Sequence, residues 1–125
     1  MEKHILIFED NLDILDVLKQ IFTDEGYQVT GLTAIDDAIK TVSAHKPDLV
    51  ITDYILDGIN GGEYCHQIKT NSATSHIPVM ILSGYSVLLD SLGDYGADAI
   101  VSKPFDVQDL LNKVQELLNG QLSAR

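Results

Sequence analysis

The stretch DLVITD, residues 48–53, sets an unbroken run of strand-forming residues between two aspartates. A continuous run, rather than an alternating one, is typical of a strand that is buried on both faces of a parallel sheet. Asp53 follows the run directly, so the strand brings a carboxylate to its carboxyl end. The glycine-rich segment that comes next, residues 58–62, predicts a loop beside that carboxylate.

Further strands and helices are predicted on both sides of this run. Comparable apolar runs occupy residues 5–8, 78–82 and 99–102, and a weaker strand spans residues 27–32. Apolar residues at helical spacing predict one helix between an Asn11 cap and Gly26, one capped by Thr33, and one over residues 107–118. The helix after residue 62 is less obvious. Strands that alternate with helices indicate an α/β fold with a mostly parallel sheet and helices on both faces.

Length and composition exclude several classes of protein. A chain of 125 residues, 45% of them hydrophobic, is long enough to form one domain core without disulfides. The single cysteine, Cys65, has no second cysteine for a disulfide or a zinc pair. The formal net charge of -11 disfavours direct binding to nucleic acid or anionic lipid. No apolar run is long enough to cross a membrane and no signal peptide is recognisable, so we expect a cytoplasmic location.

Polar side chains follow four of the predicted strands. Glu9 and Asp10 come after the first strand, Asp53 after the third, Ser83 after the fourth and Lys103 after the fifth. The carboxyl ends of parallel strands form one edge, where ligands bind. Three carboxylates at one edge repel each other unless a cation offsets their charge, and oxygen ligands suit Mg2+. A lysine and a hydroxyl beside them would bind phosphoryl oxygens, and a carboxylate can act as the nucleophile.

These segments resemble the receiver domains of bacterial response regulators. The resemblance is carried by IFEDN (7–11), DLVITDYILDGINGGEY (48–64), PVMILSG (78–84) and GADAIVSKPF (96–105). It extends from about Ile5 to Leu118. It implies a flavodoxin-like, doubly wound, five-stranded parallel sheet of order 2-1-3-4-5, for which a chemotaxis receiver is a standard example. We expect a receiver domain over residues 1–120 and a short tail over residues 121–125.

The resemblance also implies a role for each residue of the metal site. Asp53 would be the phosphoacceptor, Asp10 a direct metal ligand, and Glu9 a metal ligand that acts mainly through water. The backbone carbonyl of Ile55 would be a further ligand to Mg2+. Taken alone, Asp53 is more typical of a capping or turn acid, but Asp10 and Lys103 at matching strand ends favour its functional role. Glu9 alone also fits a solvated acid near a helix N-terminus.

The remaining roles concern the phosphoryl group and the partners. Ser83 would hydrogen-bond a phosphoryl oxygen, and Lys103 would pair first with the carboxylate and then with the phosphoryl group. The peptide before Pro104 would be cis. The phosphoryl donor would be a histidine kinase or a histidine phosphotransfer protein, and phosphorylation would change the affinity for a downstream protein. The chain would thus be a signalling switch rather than an enzyme, and a monomer or weak dimer.

Some positions depart from the family pattern. Ile100 stands where receivers usually carry an aromatic switch residue, and Asp57 stands where they usually carry a proline. Ser83 and Lys103 are 20 residues apart, a short interval that predicts a trimmed helix or loop between them. Tyr85 would either shield the phosphoryl group or pack on a face that binds partners.

Other functions are compatible with parts of this pattern. A pseudo-receiver would keep the fold and the acidic pocket but signal without phosphorylation. Asp53, Ser83 and Lys103 together argue against it, whereas Ile100 and Asp57 keep this alternative open. A phosphatase of the haloacid dehalogenase type needs an acid two residues after the nucleophile, where this chain has isoleucine. A nucleotide or flavin binder would need a glycine-rich phosphate loop after the first strand, which is absent from the sequence.

Overall fold

The computed structural model describes residues 2–56, 59–84 and 96–119. Strands and helices alternate along most of this chain. The elements are β1 (His4–Phe8), α1 (Leu12–Asp24), β2 (Gln28–Leu32), α2 (Ala38–His45), β3 (Leu49–Asp53), β4 (Ile55–Leu56), β5 (Ile59–Asn60), α3 (Gly61–Thr70), β6 (Val79–Ser83), β7 (Ala99–Ser102) and α4 (Val107–Leu118). In the described part of the chain, no helix is both long and apolar enough to cross a membrane.

Five strands form one parallel sheet in the order β2-β1-β3-β6-β7. If the five long strands are counted alone, this is the order 2-1-3-4-5, which confirms the expected doubly wound fold. The register places Ile7 beside Ile51, and Ile51 beside Met80. β1, β3 and β6 are therefore interior strands, which explains their continuous apolar runs.

Successive residues of the interior strands point to opposite faces of the sheet, and each face is covered by helices. On one face the strands pack against α1 and α4, through residues that include Leu18, Phe22 and Val114. On the other face they pack against α2 and α3, through residues that include Val42 and Cys65. Cys65 is fully buried, as expected for a structural cysteine. The helices on both faces confirm the predicted architecture.

The ends of α1 follow the sequence signals closely. The side chain of Asn11 accepts a hydrogen bond from the N–H of Ile14 at 3.0 Å and so caps the helix. At the other end Gly26 has a φ of +93°, a left-handed conformation that glycine adopts without strain. The predicted helix from the Asn11 cap to Gly26 is confirmed.

The start of α2 differs from the prediction. Thr33 was expected to cap this helix, but the cap is Asp37, whose side chain accepts from the N–H of Lys40 at 3.0 Å. The carbonyl of Asp37 accepts the first helical bond, from Thr41, at 3.0 Å. Ile35 is buried in the core although it lies before the helix. The apolar spacing therefore counted a residue of the connecting segment as helical.

Two short strands were missed by the sequence analysis. β4 and β5 pair in antiparallel fashion, with Ile55 opposite Asn60, where only a glycine-rich loop was predicted. α3 begins directly after β5, at Gly61. Asp57 and Tyr85, which the sequence analysis singled out, lie outside the described residues, as does most of the interval between Ser83 and Gly96.

Candidate functional site

The parallel sheet brings the predicted polar residues to one edge. Glu9 and Asp10 follow β1, Asp53 ends β3 and Ser83 ends β6, and these three strands are neighbours. Carboxylate oxygens of Glu9, Asp10 and Asp53 lie within 4.8 Å of one another. Lys103 follows β7, the next strand of the sheet. The geometry thus brings the side chains of Glu9, Asp10, Asp53 and Lys103 together and places Ser83 at the same edge of the sheet.

Lys103 connects the last strand to the acidic cluster. Its Nζ lies 2.8 Å from Oε1 of Glu9 and 3.1 Å from Oδ1 of Asp53. Its backbone N–H donates to the carbonyl of Ser83 at 2.9 Å. The sequence analysis expected a pair with Asp53, and the shorter contact is to Glu9. The Lys103–Pro104 peptide bond is cis, as the resemblance implied.

Glu9 is a buried acid, with only 1% of its surface exposed. Lys103 binds one of its carboxylate oxygens, and the N–H of Asn11 donates to the other at 3.3 Å. Burial raises the pKa of Glu9, and the charge of Asp53 raises it further, against the opposing effect of the Lys103 hydrogen bond. Keeping Glu9 in its carboxylate form therefore costs free energy, and a nearby cation lowers that cost.

The pKa of Lys103 is raised as well. Burial opposes the charge of its ammonium group, but the hydrogen bonds to Glu9 and Asp53 outweigh that effect. The ammonium is thus held in its charged form between two carboxylates. The pKa values of Lys103 and Glu9 are both raised, but for different reasons: burial dominates for Glu9, and the two carboxylate partners dominate for Lys103.

Asp53 is less buried than Glu9, with 15% of its side chain exposed. Its Oδ1 accepts a hydrogen bond from the N–H of Tyr54 at 3.0 Å in addition to the contact with Lys103. Asp10 is exposed, whereas Ser83 is fully buried. The cluster is therefore open on the side of Asp10 and Asp53 and closed on the side of Glu9.

The donor set fits a hard divalent cation. Three carboxylates converge, and one of them, Glu9, is buried, which raises its pKa, with a smaller contribution from the charge of Asp53. Mg2+ binds through a few carboxylates and carbonyls and keeps several waters, which an open cluster permits. Ile55 lies in β4, two residues after Asp53, so its backbone is close to the cluster along the chain.

An apolar cleft adjoins the acidic cluster. It has a volume of about 480 Å3 and is lined by Asp13, Ile14, Val17, Lys103, Pro104 and Phe105. It lies between α1 and the segment that leads from β7 to α4. Val17, which lines the cleft, is 52% exposed, so the cleft presents an apolar side chain to solvent. This surface was not predicted from the sequence.

Ile100 lies in β7 and pairs with Ile81 of β6. It is half-buried and packs against the core cluster under α2 and α3. A branched aliphatic side chain of this kind has no ring to exchange between an inward and an outward position. The departure noted in the sequence therefore corresponds to a residue that contributes to the core.

Comparison with known proteins identifies the family. The family model for the response regulator receiver domain matches residues 5–115. The chain belongs to this family. As a receiver domain of two-component systems, it is a signalling domain.

Two kinds of relative support this assignment of the receiver domain. It is 34% identical to the response regulator ArlR of Staphylococcus aureus over 119 residues, which are 94% of this chain and 53% of ArlR. The chain thus spans about half the length of the curated relatives it matches. The response regulator protein TrrA of Thermotoga maritima, solved in complex with Mg2+ and BeF, is 30% identical with a TM-score of 0.82, and the match covers 92% of this chain and 98% of TrrA.

A third similarity covers both chains completely. The CheY-like receiver domain protein of Methanospirillum hungatei is 28% identical to this receiver domain, with a TM-score of 0.80, and the match covers 100% of each chain. The order of the strands and the placement of the helices on both faces agree with this relationship.

Proposed function

We propose that Asp53 accepts a phosphoryl group from a histidine kinase or a histidine phosphotransfer protein, in the presence of Mg2+, and that phosphorylation changes the affinity for a downstream protein. The observation that carries the proposal is the partly exposed carboxylate of Asp53. It is held 3.1 Å from the Lys103 ammonium within a cluster of three carboxylates. A nucleophile, a cation for the phosphoryl oxygens and a set of metal ligands therefore occupy one site.

The metal would be held by Glu9, Asp10 and Asp53, with the backbone carbonyl of Ile55 as a further ligand. Mg2+ would supply positive charge to the carboxylates and to the phosphoryl oxygens. Glu9 is buried and oriented by two hydrogen bonds, which favours its action through a water rather than by direct approach. Asp10 is exposed and can approach the cation directly.

The transfer step would exchange one bond for another. An oxygen of the Asp53 carboxylate forms a bond to phosphorus while the bond between phosphorus and the donor histidine nitrogen breaks. The electron pair of the broken bond stays with the imidazole, which takes up a proton. The ammonium of Lys103 would leave Glu9 and bind a phosphoryl oxygen, and the hydroxyl of Ser83 would donate to another.

A protein donor has to approach Asp53 across the surrounding surface. The cleft between α1 and the β7–α4 segment shares Lys103 with the site, and Val17 is exposed at its rim. We propose that the protein that carries the phosphohistidine packs an apolar helix face on this cleft. Such packing would bury Val17 and bring the histidine next to Asp53.

The products of the reaction fit a switch more than an enzyme. The phosphoryl group stays on Asp53 until it is hydrolysed, so the lasting result is a changed surface rather than a released product. With a net charge of -11 the domain would act on a protein partner rather than on nucleic acid. We propose that it works in the cytoplasm, as a monomer or weak dimer.

The test is the intact mass of the protein after incubation with phosphoramidate and Mg2+. We expect a gain of one phosphoryl group that is absent in Asp53→Asn and in the presence of EDTA. Asp36→Asn is the matched control, because Asp36 is an exposed acid outside the cluster, and it should gain the same mass. An unchanged mass for the native protein, with no binding of beryllofluoride, would overturn the proposal in favour of a pseudo-receiver.

A further inference from the structure

Asn11 lies between the acid pair and α1, and it makes hydrogen bonds both to the helix and to Glu9. Its side-chain Oδ1 accepts from the N–H of Ile14 at 3.0 Å, which caps the helix. Its carbonyl accepts the first helical bond from the N–H of Leu15 at 2.9 Å. Its own N–H points the other way and donates to Oε2 of Glu9 at 3.3 Å. One residue therefore joins the helix to a carboxylate of the site.

Glu9 depends on this contact for its orientation. Its Oε1 is bound by Lys103 at 2.8 Å and its Oε2 by the N–H of Asn11. The lysine reaches the carboxylate through a long flexible side chain and has a second partner in Asp53. The N–H of Asn11 belongs to the main chain at a helix start. It is the partner that stays in place when Lys103 moves.

We propose that Asn11 is a positioning residue for the metal-binding carboxylates. By capping α1, its side chain holds its backbone in the extended conformation, with φ -85° and ψ 113°, that directs its N–H to Glu9. The orientation in which Glu9 meets the cation then depends on a carboxamide that is hydrogen-bonded to the first turn of α1. This inference rests on the proposed function, because it takes Mg2+ as the ligand of the site.

The physical argument is that partners of metal ligands affect affinity through orientation. A hydrogen bond of 3.3 Å is near the upper limit of length, so it tolerates little further displacement of the N–H. Loss of the cap would release the Asn11 backbone and let the first turn of α1 fray. Glu9 would then be oriented by Lys103 alone. Loss of such an orienting partner typically weakens metal binding by about 10–100-fold.

The chain offers a matched control in the cap of α2. The side chain of Asp37 accepts from the N–H of Lys40 at 3.0 Å, the same length as the Asn11 contact with Ile14. Both cap residues are exposed, and Asp37 is not a member of the carboxylate cluster. Asp37→Ala therefore removes an equivalent helix cap and lowers stability without changing the group that binds Glu9.

The experiment compares Asn11→Ala, Asn11→Ser and Asp37→Ala with the native protein by NMR. Mg2+ is titrated into each protein while the amide resonances are followed. We expect Asn11→Ala to bind Mg2+ roughly tenfold more weakly, at the low end of the range for orienting partners. Asn11→Ser keeps a capping oxygen and should restore the native affinity. Asp37→Ala should bind Mg2+ like the native protein.

A second NMR measurement is made on the proteins without metal, so that the inference and the proposed function can be refuted independently of each other. The carboxyl carbon of Glu9 should shift in Asn11→Ala and keep its native position in Asn11→Ser and Asp37→Ala. An unshifted Glu9 carboxyl in Asn11→Ala overturns the inference, whether or not the native protein binds Mg2+. Equal weakening in Asp37→Ala, or failure of Asn11→Ser to restore affinity, overturns it as well. Failure of the native protein to bind Mg2+ overturns the proposed function instead.

Discussion

Replacement of Lys103 by methionine removes the ammonium that binds Glu9 and Asp53 while it keeps a long side chain. Glu9 is 1% exposed, so its charge is left buried beside a second carboxylate. Removal of one partner of a buried ion pair typically destabilises a protein by about 3–5 kcal/mol. The side chain of Lys103 is 20% exposed, and the solvent near it places the expected loss at the lower end, about 3 kcal/mol.

The loss of stability cannot exceed the cost of protonating Glu9, because a protonated Glu9 carries no unpaired charge. The ordinary pKa of the carboxyl group is 4.5. Each pH unit above that value adds about 1.4 kcal/mol to the free-energy cost of protonating Glu9. That cost is about 4 kcal/mol near pH 7.5 and about 1.4 kcal/mol near pH 5.5. The folded pKa of Glu9 is raised, so the folded state binds the proton more tightly and stability falls as pH rises above 4.5. The loss in Lys103→Met should therefore shrink as the pH is lowered.

Urea unfolding in EDTA, followed by circular dichroism, measures this loss. Near pH 7.5 the midpoint of Lys103→Met should fall by roughly 1.5–2 M, from a loss of about 3 kcal/mol and the slope usual for a small domain. Near pH 5.5 the loss should be less than half as large. Lys113→Met, which changes an exposed lysine of α4, is the control and should unfold like the native protein.

A second substitution identifies the source of the effect. Glu9→Gln removes the buried charge, so adding it to Lys103→Met should restore most of the lost stability. The reasoning is refuted if the double variant is no more stable than Lys103→Met. It is also refuted if the loss is the same near pH 5.5 and near pH 7.5.

Three further predictions concern packing, pH and the donor surface. A Cβ added at Gly31 would lie 2.7 Å from Cδ1 of the buried Leu15, so even Gly31→Ala requires a shift of that side chain. Gly31→Val, which adds two more methyl groups there, should lower the melting temperature clearly more than Gly31→Ala, and equal melting temperatures would contradict this. Burial and Glu25 raise the pKa of Tyr27, so the stability of the native protein should fall as pH rises above 10.0. Tyr27→Phe should show a smaller fall in urea titrations, because Lys103, whose pKa is also raised, still contributes at high pH. Parallel stability curves for the two proteins would refute this. Val17→Asp should slow phosphoryl transfer to Asp53 from a phosphohistidine protein but not from phosphoramidate. Equal slowing of the two reactions would contradict the proposed donor surface.

Much of the fold could be predicted because the interior strands are buried on both faces. Such strands must be largely apolar, as residues 5–8 and 49–51 are, and the first charged residue after them marks the edge of the sheet. The cap of α1 was equally visible, because Asn11 precedes the first apolar residue of a regular helical pattern. These signals are local, and they were sufficient to place Glu9, Asp10 and Asp53 at one edge.

The features that were missed depend on contacts between distant parts of the chain. β4 and β5 are too short to show an apolar period and are stabilised by backbone pairing. The start of α2 was misplaced because Ile35 is buried by the core without being helical. The shorter contact of Lys103 is with Glu9, which lies 94 positions away in the sequence. None of these has a signature in local sequence.

The phosphoacceptor itself can be located by chemical trapping. The protein is treated with phosphoramidate and Mg2+ and then with borohydride, which reduces an aspartyl phosphate to homoserine with release of phosphate. Peptide mass spectrometry then reads the residue at each aspartate. We predict homoserine at position 53 and unchanged aspartate at positions 10 and 36. Homoserine at another position, or none after a phosphoryl gain in intact mass, would contradict the assignment of Asp53 as the acceptor.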